Sequence, residues 1–266
     1  MPKPIVTFIS DFGLEDWFVG VVHGVLHEIC PDAPIVDLNH AGEPGDIERA
    51  AFILEASASD FPAGTVHLAV VDPGVGTARR ALAVRAHGQH FVGPDNGLLE
   101  WALNDERAMV RSLTEERYFR KPVSRTFHGR DVFAPVAGHI ACGVPIEKFG
   151  PPVADPVRLS RTGVRLFDGQ LQGCVRFIDR FGNALTDITQ AALERGFPGV
   201  PGPSLETELG GRRIAGIASS YGDAPIGTLV AIVGSSGRLE IAQVGGHAAS
   251  RFGLGEGDAV VVRVQR

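Results

Sequence analysis

The apolar positions in the first half of the chain repeat with two alternating periods, one typical of strands and one typical of helices. Three short runs rich in β-branched residues predict strands, at residues 5–10, 35–40 and 65–72. After the first run, apolar residues recur every three or four positions over residues 17–29. After the second, Asp46 precedes a similar segment that ends near Ala58. Both segments predict helices, the second with Asp46 as its N-cap, and strict alternation of strand and helix predicts a parallel sheet with right-handed crossovers.

Further elements of the same kind follow. The run ALAVRA and the segment around Phe91 predict additional strands, and helices are predicted near residues 98–103 and over residues 132–142. The third strand is almost entirely apolar, as is usual when helices cover both faces of a sheet. We therefore predict an N-terminal α/β domain, residues 1–155, with a mainly parallel central sheet.

The pattern changes after the Pro-rich segment PPVADP, residues 151–156, which is stiff enough to join two domains. Beyond this segment, helical periods are few. Five short strand-like runs are separated by Gly-rich turns: LQGCVRFID, RRIAGIA, TLVAIVG, LEIAQV and AVVVRV. They predict a smaller antiparallel β-barrel-like domain over residues 165–266. The predicted fold class is therefore α/β, an N-terminal α/β domain followed by a C-terminal β domain.

Composition narrows the class of function. Hydrophobic residues at 44% and charged residues at 21% are ordinary for a soluble globular protein, and the formal net charge of -6 argues against a nucleic-acid partner. Apolar runs fall short of the ~18–20 residues of a membrane span, and the chain begins with a strand rather than an export signal, so we expect no membrane partner and a cytoplasmic location. The 3 cysteines form no CxxC pair and the histidines lack ligand spacing, so we expect no metal.

Two polar, Gly-rich turns that follow apolar strands carry the candidate chemistry. They are VVDPGVGTARR, from Val70 to Arg80, and TFHGRD, from Thr126 to Asp131. Together they present Asp72, Arg79 and His128. None of these side chains is a strong nucleophile, but the three can position and polarise a water molecule. This set predicts a hydrolytic enzyme that uses water directly, and the absence of a GxSxG elbow argues against a generic α/β hydrolase.

Asp11 adds a second acidic residue at the same edge of the predicted sheet. It follows the first strand as Asp72 follows the third, and ligands of parallel α/β sheets collect beyond the carboxyl ends of the strands. Aspartates at strand ends also cap turns, and an Asp72–Arg79 pair could be structural. The residues alone leave those alternatives open.

Polar turns in the second half offer further candidates. Asp179 and Asn183 flank a Phe-Gly pair, and a strand crossing a bulge there would turn both side chains to one side. The turn that contains Ser235 and Ser236 offers hydroxyls and free amides suited to a carboxylate. An ordinary solvent-facing turn and a plain hairpin are the structural alternatives.

Taken together, these segments resemble the S-adenosylmethionine (SAM) hydroxide adenosyltransferases, the adenosine-forming SAM hydrolases, which are related to fluorinating and chlorinating enzymes that act on the same substrate. Seven segments match in order over nearly the whole chain: SDFGLEDWFVG, VVDPGVGTARR, GPDNGLLE, TFHGRDVFAP, IDRFGNALTDI, ASSYGD and GSSGRLEIA. The resemblance implies cleavage of SAM to adenosine and L-methionine by in-line attack of an activated water on the ribose 5′-carbon. It implies no cofactor beside the substrate, and a homotrimer with each site between one subunit's N-terminal domain and a neighbour's C-terminal domain.

The resemblance also implies a role for each candidate residue. The family's water-activating aspartate, arginine and histidine match Asp72, Arg79 and His128, and its ribose-binding aspartate matches Asp11. The residues that hold the methionine and adenine portions match Asp179, Asn183, Ser235 and Ser236.

Several positions that differ in the halogenating relatives favour water over halide as the nucleophile. In those relatives an aromatic or small residue stands at the position of Asp72, a serine or glycine at that of Gly129, and an arginine at that of Ser236. The fluorinating relative carries a tryptophan over the sugar where this chain has Gly45, so the pocket is expected to be more open on that side.

Three questions stay open at this stage. The chain could be a SAM-dependent halogenase of the same fold, or a non-catalytic module that binds SAM or adenosine. Within the hydrolase interpretation, either His128 or Asp72 could accept the proton of the attacking water.

Overall fold

The computed structural model describes residues 3–160 and 163–265. The chain divides into two compact units, Met1–Ser160 and Arg161–Arg266. The first two residues of the predicted N-terminal domain, 1–155, and the last residue of the predicted C-terminal domain, 165–266, lie outside the described residues.

Unit 1 contains the predicted alternation of strands and helices. In chain order its strands and α-helices are β1 (Val6–Ser10), α1 (Phe18–Ile29), β2 (Ile35–Asn39), α2 (Ile47–Ala58), β3 (Val66–Val70), β4 (Ala81–Ala86), β5 (Gln89–Pro94), α3 (Glu100–Leu103), β6 (Met109–Ser112) and α4 (Ala134–Ala141). Asp46 is the N-cap of α2, as predicted, because its Oδ1 accepts a hydrogen bond from the Arg49 amide at 3.0 Å.

The strands of unit 1 form one sheet in the order β2-β1-β3-β5-β4-β6. The first four strands in this order are parallel to one another, which confirms the mainly parallel sheet, whereas β4 pairs antiparallel with both β5 and β6. His87 and Gly88 alone connect β4 to β5, with φ of 51° and 75°. Two residues of positive φ form a tight hairpin turn, and parallel strands would need a crossover of about a dozen residues. The direction of β4 follows from this turn.

Helices cover both faces of the sheet, as the apolar third strand predicted. Phe8 and Leu68 belong to the core that α1 and α4 cover, and their chain neighbours Ile9 and Ala69 belong to the core under α2 and α3. Successive residues of a strand face opposite sides, so strands buried on both faces must be apolar throughout.

Unit 2 is the predicted antiparallel β domain. Its strands and α-helices are β7 (Arg165–Phe167), β8 (Gln170–Ile178), β9 (Ala184–Thr189), α5 (Gln190–Gly196), β10 (Leu205–Leu209), β11 (Arg212–Ala215), β12 (Ile217–Ala218), β13 (Leu229–Val233), β14 (Arg238–Gln243), α6 (Ala248–Phe252) and β15 (Ala259–Val264). The strand order is β11-β10-β15-β8-β9-β14-β13-β12, with β7 beside β8, and each described pair except β12–β13 is antiparallel. The sheet is nearly closed and barrel-shaped, which confirms the predicted class of fold.

The Pro-rich segment at residues 151–156 belongs to unit 1 and does not form a free linker. The Ser112 amide donates to the Pro151 carbonyl at 2.9 Å, and the Val153 amide donates to the Val110 carbonyl at 3.1 Å. Edge strand β6 therefore pairs with this segment. Proline lacks an N–H donor but keeps its carbonyl, so a Pro-rich chain can still line the edge of a sheet.

The helix predicted over residues 132–142 is shorter and has an unusual start. A π-helical turn at Gly129–Phe133 precedes α4, and Pro135 occupies the first turn of that helix. Such turns widen the helical backbone and are frequent at functional sites. None of the helices within the described ranges has the length and hydrophobicity needed to cross a bilayer.

A buried histidine links three strands of unit 1. His67 on β3 is fully buried; its Nδ1 lies 2.7 Å from Thr7 Oγ1 and its Nε2 lies 3.3 Å from Gln89 Oε1. The Gln89 amide donates in turn to the carbonyls of Ala58 and Phe61. Burial lowers the pKa of His67 from 6.5 to about 4, because the imidazolium ion would lose its hydration.

This histidine should make the protein less stable in acid. The unfolded chain binds a proton at His67 below pH 6.5, whereas the folded protein binds it only near pH 4, so the free energy of unfolding falls as the pH is lowered through this window. The loss is on the order of 2–3 kcal/mol by about pH 4.5, at ~1.36 kcal/mol per pKa unit. Urea unfolding of the wild type and His67→Asn, which does not titrate, should show a weaker pH dependence in the variant. Equal dependence in both proteins would contradict this account.

Candidate active site

Asp72, Arg79 and His128 meet in one hydrogen-bonded array. Asp72 follows β3 and Arg79 precedes β4, so both lie on the loop of residues 72–79. Arg79 Nε donates to Asp72 Oδ1 at 2.8 Å, and Arg79 Nη2 donates to Asp72 Oδ2. The same Nη2 donates to His128 Nδ1 at 2.9 Å. The guanidinium therefore joins a carboxylate and an imidazole that are distant in the sequence.

This arrangement determines the tautomer of His128. A guanidinium only donates hydrogen bonds, so His128 Nδ1 must accept, and the neutral ring carries its proton on Nε2. Protonation of Nδ1 would place its N–H against that of Arg79. Partial burial and then the positive charge of Arg79 lower the pKa of His128, although Asp72 and Asp131 act in the opposite direction.

The surroundings of Arg79 strengthen the array. The Asp72 and Arg79 side chains are only 6% and 12% exposed, and the Arg79 guanidinium carbon lies 5.1 Å from the centre of the buried Phe133 ring. Low exposure to water increases the attraction between opposite charges, and the face of an aromatic ring attracts a cation. Arg79 is thus held by contacts on several sides.

The glycines of the 72–79 loop serve a packing purpose that the sequence did not predict. Gly76 has a φ of 76°, and a Cβ atom there would overlap the Arg125 carbonyl oxygen. The close approach at Gly76 is therefore between two chain segments. This contact brings the loop against the segment that leads to His128.

Asp131 anchors the segment that carries His128. Its carboxylate is fully buried and accepts hydrogen bonds from the Ser124 amide at 2.8 Å and from Arg130 Nε at 2.6 Å.

Gly129, the residue after His128, is closely packed. A Cβ on Gly129 would lie 3.3–3.4 Å from side chains around it, including that of Phe12. The tight packing at Gly129 leaves little room for a larger residue.

A cavity of about 350 Å³ lies beside the array. Its lining residues come from four segments of unit 1: Asp11, Phe12, Pro44, Gly45, Val70, Asp72, Pro73, Val75, Thr126, Phe127, His128 and Gly129. The volume suits a small organic molecule, and the walls combine apolar surface with a few polar groups, as ligand pockets usually do. Asp11 and Asp72 thus share one cavity, as their places after β1 and β3 predicted. His128 joins them from the start of the π-helical turn, and the strand predicted before the TFHGRD turn is absent, since residues 113–128 contain no strand.

Gly45 forms the wall next to Asp11. Its φ is 80°, a backbone conformation that favours glycine, and its amide donates to Asp11 Oδ2 at 2.8 Å. Gly45 therefore has two effects on this wall: it adds no side chain to the pocket, and its amide orients the Asp11 carboxylate.

Ser10, His40 and Asp37 support the loop that holds Asp11, and the sequence interpretation missed them. Ser10 Oγ lies 2.7 Å from His40 Nδ1, and His40 Nε2 lies 3.1 Å from Asp37 Oδ1. The His40 carbonyl accepts from the Gly13 amide at 2.8 Å. Ser10 is only 2% exposed, so it cannot reach a substrate as a nucleophile. The position of His40 directly after β2, at the same sheet edge as Asp11, was the available signal.

Asp179 and Asn183 lie together in unit 2, in the turn between β8 and β9. Asp179 Oδ1 accepts from the amides of Phe181 and Asn183 at 2.9 and 2.8 Å, and Oδ2 accepts from Asn183 Nδ2 at 2.9 Å. The predicted bulge within a strand is absent here, because Gly182, with a φ of 83°, closes a turn instead. Phe181 at the tip is 74% exposed.

Ser235 and Ser236 form the turn between β13 and β14. The Ser236 Oγ is buried and has no hydrogen-bond partner among the described residues, and an unpaired buried hydroxyl calls for an explanation. A Cβ on neighbouring Gly234 would overlap the buried Glu240 carboxylate, which accepts from the Tyr221 hydroxyl. Burial raises the pKa of Glu240. The sequence interpretation missed Glu240 and Tyr221.

Within the ranges that the structure describes, no cluster of three or more His, Cys, Asp or Glu side chains has the geometry to hold a metal ion. The chemistry available in unit 1 is that of one carboxylate–guanidinium–imidazole array facing a cavity.

Comparisons with known proteins identify the family of this chain. The model of the SAM hydroxide adenosyltransferase N-terminal domain matches residues 6–150, and that of the C-terminal domain matches residues 173–261. This chain belongs to the SAM hydroxide adenosyltransferase family. The resemblance noted in the sequence is thereby confirmed.

Individual members of the family and their relatives match over nearly the full length. A Thermus thermophilus protein named (R)-S-adenosyl-L-methionine hydrolase is 45% identical over 261 residues, 95% of this chain and 96% of the relative. A Nocardia brasiliensis fluorinase is 31% identical, over 98% of this chain and 97% of the relative. The crystal structure of an uncharacterized conserved protein from Thermotoga maritima has a TM-score of 0.91 and 34% identity, and the match covers 97% of this chain and 100% of that chain.

Proposed function

We propose that this protein hydrolyses SAM to adenosine and L-methionine. The observation that carries the proposal is the Asp72–Arg79–His128 array on the wall of a cavity that also contains Asp11. The name of the Thermus thermophilus relative, at 45% identity, supports the same reaction. The fluorinase, at 31% identity, is the more distant relative.

The remaining candidate residues bind the substrate in this proposal. Asp11 accepts hydrogen bonds from the ribose hydroxyls. Asp179, Asn183 and the Ser235–Ser236 turn hold the methionine and adenine portions, and the exposed Phe181 ring and the unpaired Ser236 hydroxyl support that role. We further propose a cytoplasmic homotrimer in which each site combines the N-terminal domain of one subunit with the C-terminal domain of another, which the family resemblance supports.

The reaction needs no resident cofactor. Water attacks the 5′-carbon in line with the C–S bond, and the electrons of that bond leave with the sulfonium sulphur, which becomes the neutral thioether of L-methionine. A sulfonium is a good leaving group, so neither a metal nor a general acid has to assist its departure. The weak nucleophile is the difficulty that the site must overcome.

Arg79 does not suffice to hold a resident hydroxide ion. Lowering the pKa of water from ~15.7 to about 7 requires roughly 12 kcal/mol. One guanidinium at about 4 Å supplies on the order of 4 kcal/mol, and Asp72 and His128 already engage this one. Orientation of a water in line with the C–S bond can contribute ~7–11 kcal/mol. We therefore favour a positioned water that loses its proton as it attacks.

The tautomer of His128 supports Asp72 as the acceptor of that proton. Nδ1 is occupied by Arg79 and Nε2 carries a hydrogen, so neutral His128 has no free lone pair for a proton. Each Asp72 oxygen accepts one hydrogen bond from Arg79 and keeps a further lone pair. In this proposal Asp72 is the proton acceptor, His128 orients the water through Nε2–H, and Arg79 holds both groups in place.

Substitutions of His128 should show whether its side chain acts as a hydrogen-bond donor or as a base. His128→Gln keeps an N–H near the Nε2 position but cannot act as a base, so its kcat should exceed that of His128→Ala by about tenfold. Asp72→Asn should lose about 10²-fold or more in kcat. The acid limb of the wild-type pH–rate profile should lie below pH 6.5, because the pKa of His128 is lowered and its protonation removes the acceptor for Arg79. A Gln variant as inactive as the Ala variant would instead identify His128 as the base.

Product analysis in isotopically labelled water tests the proposed function itself. SAM incubated with the protein in ¹⁸O-water should give L-methionine and adenosine labelled at the 5′-hydroxyl, and Asp72→Asn should form far less of both. The same reaction in the presence of chloride should give no 5′-chloro nucleoside. Formation of that nucleoside would favour a halogenase, and tight binding of SAM without products would favour a non-catalytic binding module.

A further inference from the structure

We propose that Asp95 and Asn96 clamp both ends of the 72–79 loop and act as positioning residues for the reaction. The inference rests on the proposed function, and it assigns a role to the GPDNGLLE segment that follows β5. Neither residue belongs to the catalytic array. Asp95 and Asn96 do not line the cavity, so they act on the chemistry through Asp72 and Arg79.

Asn96 holds the beginning of the loop. Its Nδ2 donates to the Val71 carbonyl at 2.9 Å, and its Oδ1 accepts from the Leu98 amide at 3.1 Å. The Val71 carbonyl belongs to the peptide group that leads into Asp72. Because a peptide group is planar, a bond to its carbonyl also fixes the direction of the Asp72 amide.

Asp95 holds the end of the loop. Its amide donates to the Arg80 carbonyl at 3.0 Å, and its Oδ2 accepts from Arg80 Nε at 2.6 Å. Arg80 directly follows Arg79, and the Asp95 side chain is only 2% exposed. A buried, charge-assisted contact therefore fixes the residue next to the guanidinium that organises the site.

Further hydrogen bonds hold Arg80 and Asp95 in place. Arg80 Nη1 and Nη2 donate to Oδ1 and the carbonyl of Asp155, at 2.7 and 2.6 Å. Asp95 Oδ1 accepts from the Val157 amide at 2.7 Å. The segment at the end of unit 1 that contains Asp155 and Val157 thus binds both Arg80 and Asp95. These contacts keep the Arg80 guanidinium away from that of Arg79.

Bonds inside the loop maintain its shape but do not attach it to the sheet. The Val75 amide donates to the Asp72 carbonyl at 3.1 Å, and the Thr77 amide donates to the Gly74 carbonyl at 3.2 Å. Both are local turns. Attachment at Val71 and Arg80, the two residues that flank the loop, therefore fixes the ends of the loop, and together with the bond from Arg79 to His128 it sets where Asp72 and Arg79 stand relative to the cavity.

The substitution Asn96→Asp tests the clamp with a change of one atom. The new carboxylate still accepts from the Leu98 amide but can no longer donate to the Val71 carbonyl. One of its oxygens would then face the Val71 carbonyl oxygen, and the two would repel each other. We expect kcat for SAM hydrolysis to fall about 10- to 100-fold while KM stays within about threefold, because a small displacement of reacting groups lowers the rate more than it weakens binding. Arg80→Lys, at a partly exposed side chain, should show the same separation of kcat from KM.

Gln89→Glu is the matched control at the opposite end of β5. It makes the same amide-to-carboxylate change and removes donors to the carbonyls of Ala58 and Phe61. It should lower Tm while leaving kcat and KM within about threefold of wild type. The clamp would be overturned if kcat of Asn96→Asp or of Arg80→Lys stayed within about threefold of wild type. It would also be overturned if kcat of Gln89→Glu fell as much as that of Asn96→Asp. Wild-type protein that forms no adenosine from SAM would overturn the proposed function, and this inference with it.

Discussion

The site depends on the way one guanidinium distributes its hydrogen bonds. Arg79 directs Nε and Nη2 to the two oxygens of Asp72, and Nη2 also reaches His128 Nδ1. A planar donor of fixed geometry can satisfy both acceptors only if they stand in one relative orientation. The positions of the carboxylate and the imidazole are therefore coupled through Arg79, and neither can rotate freely beside the cavity.

The scaffold meets this requirement with loops at one edge of a rigid sheet. Asp11 follows β1, and the 72–79 loop joins β3 to β4. The segment before the π-helical turn supplies His128. Hydrogen bonds from neighbouring segments fix each of these: His40 holds the Asp11 loop, Asp131 holds the His128 segment, and Asp95 with Asn96 holds the 72–79 loop. Catalytic geometry requires such support, because loops without it sample too many positions.

Local patterns predicted most of the fold and the residues of the array in unit 1, but not how the parts contact each other. The apolar run of β3 and the helical period of α1 are properties of adjacent residues, so the parallel sheet could be predicted. The antiparallel direction of β4 depends on positive φ at His87, which a histidine rarely adopts, so it could not. The Pro-rich segment looked like a linker because its pairing with β6 depends on residues far away in the chain.

The same limit applies to the site. Asp72, Arg79, His128 and Asp11 stand out because they are polar residues in Gly-rich segments, although only Asp72, Arg79 and Asp11 lie next to strands. The bond between Arg79 and His128 spans 49 positions, and that between Asn96 and Val71 spans 25, and no periodicity reports contacts of that kind. The choice of base was open for this reason: it depends on which nitrogen of His128 accepts a hydrogen bond, a property of the folded chain.

The most direct measurement of the central claim is ¹⁵N NMR of histidine-labelled protein near pH 7.5, with His128→Gln used to assign the signals. The hydrogen-bond array requires the Nδ1 of His128 to resonate as an unprotonated nitrogen and its Nε2 as a protonated one. A protonated Nδ1, in either the other neutral tautomer or the imidazolium ion, would mean that Arg79 does not bridge Asp72 and His128 and would contradict the account.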